Sequence, residues 1–184
     1  MVMFSWFKEK PYEHLYFTCV ERARSPWFYQ HAYVPDEIAG RFELVSLHVA
    51  LLVHEVERRG FAGYGHGITE VMYKDFDRSL REFGVGDLSV GKKVRGMAEA
   101  FFGRAKAYGE ILEQDDSRKW DDVLRRNLYR ESEDVGVEIL SHVGQYLNDM
   151  VASMRAMPDS AFGREFSWPV AVPQDKSEQR SGTA

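Results

Sequence analysis

Few places in this chain could do chemistry: the aspartates Asp75 and Asp77, six histidines, one cysteine and a glycine-rich run. Paired aspartates can hold a divalent metal, but on a helix two residues apart diverge by about 200°. The two carboxylates then flank opposite edges of an apolar stripe and do not converge on one ion. Each has a nearer role in a helix-surface pair, Asp77 with Arg81 and Asp75 with Arg78, worth roughly 0.2–0.5 kcal/mol apiece. The histidines at 14, 31, 48, 54, 66 and 142 include no H-x-x-x-H pair of the kind that binds zinc. His48 and His54 point to opposite sides of one helix. Gly63, Gly65 and Gly67 follow no strand, which argues against a phosphate cradle, and neither a P-loop nor a nucleophile elbow is present. Cys19 lies among apolar residues and reads as a small buried hydrophobe. A single cysteine also leaves no internal disulfide and suits a reducing compartment. The expectation is no catalytic residue, no metal and no cofactor.

The elements that carry these residues are helical. Leu15, Val20 and Ala23 repeat at helical spacing from Tyr12 to about Arg24, and Pro26 then interrupts before the aromatic knot Trp27, Phe28 and Tyr29. Val34-Pro35 forces extended backbone, and Asp36 is placed to N-cap a helix running to Arg59. Phe42, Val45, Val49, Leu52 and Val56, widened by Leu44, Leu47 and Leu51, mark that helix as central and buried on most sides. Glycines 60, 63, 65 and 67 read as a loop. A third helix follows with Ile68, Met72, Phe76, Leu80 and Phe83 on one face, ending at Gly84 as a left-handed cap. Ser89 is placed to cap a fourth, whose apolar face is Val90, Val94, Met97, Phe101, Tyr108 and Ile111. Helices over Trp120–Tyr129 and Glu133–Met157 complete the pattern. The expected fold is all-α: a single-domain bundle of about six helices over 12–157, with an N-terminal arm (1–11) and a flexible, polar tail (158–184).

The bulk composition agrees with a soluble globular protein: 184 residues, 44% hydrophobic and 29% charged. A net charge of −5 argues against DNA or general nucleic-acid binding. The longest purely apolar run, Val49 to Val53, is far too short to span a bilayer.

The most informative stretch is Asp75 to Tyr108, two amphipathic helices around a glycine turn. Gly96 and Gly103 sit inside the fourth helix, where each costs about 1 kcal/mol relative to alanine. With Ala100 and Ala107 they form a small-residue strip at four-three-four spacing, beside the apolar stripe. Such a strip lets another helix approach closely. That helix belongs either to this bundle or to a partner. Lys92, Lys93, Arg95, Arg104 and Lys106 flank the strip against one acid, Glu99. A solvated face explains such a run by default, but its sign, opposite to the whole, suits an acidic partner, an RNA backbone or an anionic membrane.

At RSPWFYQHAYVPDEIAGRFELVSLHVALL (Arg24 to Leu52), LREFGVGDLSVGKKV and FFGRAKAY, the sequence resembles the ubiquinol–cytochrome c chaperone family, assembly factors of the cytochrome bc1 complex. The resemblance extends from about Tyr12 to Met157. It implies a largely helical, non-catalytic chaperone with newly made cytochrome b as client, and the ribosome or a small partner protein as further contacts. Without a long presequence the chain looks like a bacterial form, cytoplasmic and in peripheral contact with the inner membrane. Residues expected at the partner contact are Arg41, Asp75, Asp77, Arg78, Arg81, Asp87, Lys92, Lys93 and Arg104, with Gly96, Ala100, Gly103 and Ala107 as the helix-docking strip. Two rivals stay open: a haem- or metal-handling protein using His48, His54 or His66, and a peripheral membrane adaptor held by its apolar first ten residues.

Overall fold

Helix α3 (Ile38–Arg58) is the axis on which the other elements are placed. The computed structural model describes residues 11–114, 119–130 and 135–170. In chain order the helices are α1 (Pro11–Ala23), α2 (Pro26–Gln30), α3, α4 (Tyr64–Glu82), α5 (Asp87–Gln114), α6 (Trp120–Asn127) and α7 (Val137–Ala156). Helices α1, α4, α5 and α7 all contact α3, and α6 packs between α5 and α7. The reason lies in the width of the α3 stripe: Leu44, Leu47, Val49, Leu51, Leu52 and Val56 are all buried, so the helix is enclosed on several sides. The six longer helices match the all-α bundle expected from periodicity, and the aromatic knot is the short α2, with Phe28 fully buried.

Helix starts depart from the expected caps. α3 begins at Ile38 with Glu37 as an extended N-cap that makes no side-chain capping bond. Asp36, one residue before that cap, accepts a 2.8 Å hydrogen bond from Arg41 Nε. α5 starts at Asp87, so Ser89 lies within its first turn. Gly65 and Gly67 are helical, not part of the loop. A Cβ at Gly65 would meet Glu57 Oε1 at 2.5 Å, and one at Gly67 would meet the Tyr12 ring at 2.6 Å. These glycines are close-approach positions of α4 rather than breakers.

The α4–α5 turn follows the expectation. Gly84 has φ +80°, its N–H bonds the Arg81 carbonyl (2.9 Å) and the Val85 N–H bonds the Leu80 carbonyl (3.0 Å). That is a Schellman ending, which closes the helix with a left-handed residue.

After α7 the chain stays on the domain as far as the described residues go. Phe162 and Phe166 are buried, Trp168 Nε1 donates to the Thr18 carbonyl (3.0 Å), and the Trp168 ring meets His48 edge-on at 5.6 Å. Residues 158–170, expected to be tail, thus seal the α1–α3 seam with three aromatics. Residues 171–184 and the arm 1–10 lie outside the described residues.

Candidate partner-binding groove

Two surface recesses meet between the N-terminal half of α3 and the helices α4 and α5. One, of 240 Å³, is bounded by α1, α3 and α4 and includes Tyr16, Ala23, Arg41 and Phe83. The other, of 760 Å³ and more open, is bounded by α3 and α5 and includes Ala39, Lys93, Gly96 and Ala100. Ile38, Phe42, Leu80 and Met97 line both, so the two recesses adjoin along a shared apolar border, with Ile38 exposed at its edge. Phe42 meets the Phe76 ring of α4 at a tilt, centroids 5.3 Å apart, and lies under the Arg104 guanidinium at 5.4 Å.

Helix α5 supplies the wall. At two positions of the expected strip the described residues leave open space, since a Cβ added at Gly96 or Gly103 would meet nothing within 4 Å, whereas Ala107 packs against the core. Of the strip, Gly96 and Ala100 face the groove, while Gly103 and Ala107 are not among its lining residues.

The expected contact residues divide in the same way. Arg41, Asp75, Lys93 and Arg104 line the groove; Asp77, Arg78, Arg81, Asp87 and Lys92 do not. Asp75 accepts from the Tyr16 hydroxyl at 2.7 Å and pairs with Arg78. Burial first, then this carboxylate partner, pushes the Tyr16 hydroxyl pKa well up. Asp77 pairs with Arg81 at 2.6 Å, and Arg81 also reaches Asp87 across the turn. Arg81 therefore ties α4 to α5 across the turn, and Asp75 and Asp77 engage separate partners.

Arg104 is a different case from a surface contact. Its side chain is 10% exposed and forks onto both carboxylate oxygens of Glu43, itself buried in α3, while Nη1 donates to the Ala100 carbonyl (2.9 Å). Burial pushes the Glu43 carboxyl up against the pull of Arg104. The pair fixes α5 against α3 at the groove floor, so Arg104 positions the wall. A buried acid inside Phe42-Glu43-Leu44-Val45 was the sequence sign of this partner: a charge in a fully apolar face needs an opposite charge from another element.

Periodicity alone assigned Phe42, Leu80 and Met97 to the core, and missed the floor. The signal available was the excess width of the α3 stripe over what neighbouring helices cover. Arg59 was missed as well. It binds Glu55 (2.6 Å), Asp159 and the Met154 carbonyl (2.8 Å), and stacks on Phe162 at 4.4 Å, tying α3 to α7 and the following segment.

The histidines are dispersed. His48 is fully buried; its Nδ1–H donates to the Leu44 carbonyl (2.7 Å), and Nε2 accepts from the Tyr146 hydroxyl (3.1 Å). Burial pushes its pKa down to about 4. His54 is half-buried, and burial lowers its pKa too. Among the described residues no cluster of three or more His, Cys, Asp or Glu has the geometry of a metal site. Cys19 is buried, which pushes its thiol well up and away from reactivity. Among the described residues, no helix is long and apolar enough to cross a membrane.

Among the described residues the molecule is thus an all-helical bundle with an apolar groove flanked by Gly96 and Ala100. The sequence matches the ubiquinol-cytochrome C chaperone family over residues 30–167, and the chain belongs to that family. It is 27% identical over 104 residues to the ubiquinol-cytochrome-c reductase complex assembly factor 1 of Xenopus laevis, a match covering 55% of this chain and 52% of that protein. The chain thus spans about half the length of that curated relative. Its structure is similar to the crystal structure of the Cbp3 homolog from Brucella abortus, with a TM-score of 0.76, 30% identity, and coverage of 87% of this chain and 88% of that one.

Proposed function

We propose that this protein is an assembly chaperone for the cytochrome bc1 complex and that it holds newly made cytochrome b, a helical membrane protein, through the α3–α4–α5 groove. The observation that carries the reading is the shared apolar floor of Ile38, Phe42, Leu80 and Met97 beside the uncovered Gly96–Ala100 wall. Helices destined for a bilayer are apolar on all sides and pack through small residues. A floor of flexible and aromatic apolar side chains accepts such a surface without demanding one sequence, and methionine adapts to irregular contacts. Arg41 and Lys93 at the rim can then orient the polar ends of a client segment.

This role requires binding and release and no bond-making step, which agrees with family membership. Further contacts, with the ribosome or a small partner protein, would use other faces, since the groove is filled by the client. Deleting the gene and assaying membranes for assembled bc1 complex tests the function. The expected result is loss of the assembled complex, restored by wild-type protein and not by Ala100→Trp, which fills the groove. Normal complex levels in the deletion strain contradict the proposal.

A further inference from the structure

The outward face of α5 is left unused by the groove. Leu88, 101% exposed, touches essentially nothing of the fold, and Phe102 is 61% exposed. At 100° per residue Leu88, Lys92, Arg95, Glu99, Phe102 and Lys106 share one stripe, opposite the buried Val90, Phe101 and Tyr108. Lys92, Lys93, Arg95 and Lys106 are all exposed. Among the described residues no ion pair is seen for the first three, and Lys106 lies 4.0 Å from Glu110. Phe83, 63% exposed, stands at the adjoining turn, which the Schellman bonds and the Asp77–Arg81–Asp87 bridge hold in place. Those two acids are thereby occupied by a cation, as Asp75 is by Arg78.

We infer that this face of α5 lies on an anionic lipid surface, with Leu88 and Phe102 inserted among the headgroups and Lys92, Arg95 and Lys106 against lipid phosphates. The spacing favours lipid over protein. Leu88 and Phe102 are about 21 Å apart along the helix with cations between them. Separated in this way, they give a protein partner no contiguous dry centre on which to build affinity. A headgroup layer takes isolated apolar side chains one by one and supplies negative charge between them. The sign agrees: a cationic stripe on a chain of net charge −5 sets the orientation in which the molecule approaches an anionic membrane. The groove wall at Gly96 lies about a quarter-turn around α5 from this stripe. The inference stands apart from the identity of the client, because it concerns a different face.

Co-sedimentation of the full-length protein with vesicles tests it. Vesicles of phosphatidylcholine alone are compared with vesicles carrying about one-third phosphatidylglycerol, at low and high salt. Binding at least tenfold tighter to the anionic vesicles, weakening as salt screens it, is expected. Lys92→Gln/Arg95→Gln/Lys106→Gln should lose at least tenfold, and Leu88→Ser/Phe102→Ser at least threefold, with melting temperatures kept. Trp6→Ser/Phe7→Ser should bind as wild type. Equal binding to both vesicle types, or undiminished binding by the charge variant, overturns the inference. So does loss confined to the Trp6/Phe7 variant, which moves the contact to the N-terminal arm. Loss of cytochrome b capture in detergent by Leu88→Ser/Phe102→Ser, with vesicle binding intact, assigns the face to the client and also overturns it.

Discussion

At the scale of single residues, three buried polar groups hold the arrangement, and each makes a measurable demand. His48 is neutral in the fold because burial pushes its pKa down to about 4, against 6.5 for a free imidazole. The unfolded chain therefore binds more protons between those values, and stability falls as pH is lowered through that window. Chemical denaturation at pH 7 and pH 5 should differ by about 2 kcal/mol from this group. His48→Gln should be less stable at pH 7 but show a flatter acid slope. An unchanged slope would remove His48 as the cause. The Glu43–Arg104 fork is the second demand. Arg104→Met leaves a buried carboxylate unpaired and should cost about 3–5 kcal/mol, with much of it recovered in Glu43→Leu/Arg104→Met; urea unfolding of the single and double variants checks this. Arg59, tied to Glu55, Asp159 and Met154, is the third. Arg59→Ala should release the 158–170 segment before the helices melt, seen as early amide exchange at Phe162 and Phe166.

The elements show what periodicity can and cannot reveal. The helix register, the Gly84 turn and the α4 ion pairs Asp75–Arg78 and Asp77–Arg81 were legible, because each depends on residues within four positions of one another. The start of α4 was not. Gly65 and Gly67 read as loop until Glu57 and Tyr12, from two other elements, are seen packed against them. The cap of α3 was placed one residue early: Glu37 holds that position, and Asp36 pairs with Arg41. The small-residue strip was visible as a pattern, but whether a helix of this chain fills it depends on tertiary placement alone. Its openness makes a prediction. Gly96→Ala and Gly103→Ala meet no neighbour within 4 Å and should each stabilise the protein by up to about 1 kcal/mol through helix propensity. A gain in thermal stability with weaker client capture for Gly96→Ala would show a glycine kept for docking rather than for folding.

For the whole molecule, three faces of α5 do three things: one is buried against α3, one walls the groove, and one is exposed and cationic. The groove itself was beyond reach of the sequence. Its floor residues come from α3, α4 and α5, and the same apolar pattern would fit a closed core; only the relative setting of the helices, fixed in part by Glu43–Arg104, opens it. The 158–170 segment was hidden for the opposite reason. Its polar composition masks three aromatics that dock on α1 and α3. The central claim is that the groove holds cytochrome b, and photo-crosslinking during synthesis of that client tests it most directly. A photoreactive residue is placed at Met97, at Ala100, or at the exposed Gln145 of α7 as a control. Cytochrome b adducts from Met97 and Ala100, absent from Gln145, are the predicted result; no adduct from the groove positions, or equal adducts from Gln145, would contradict it.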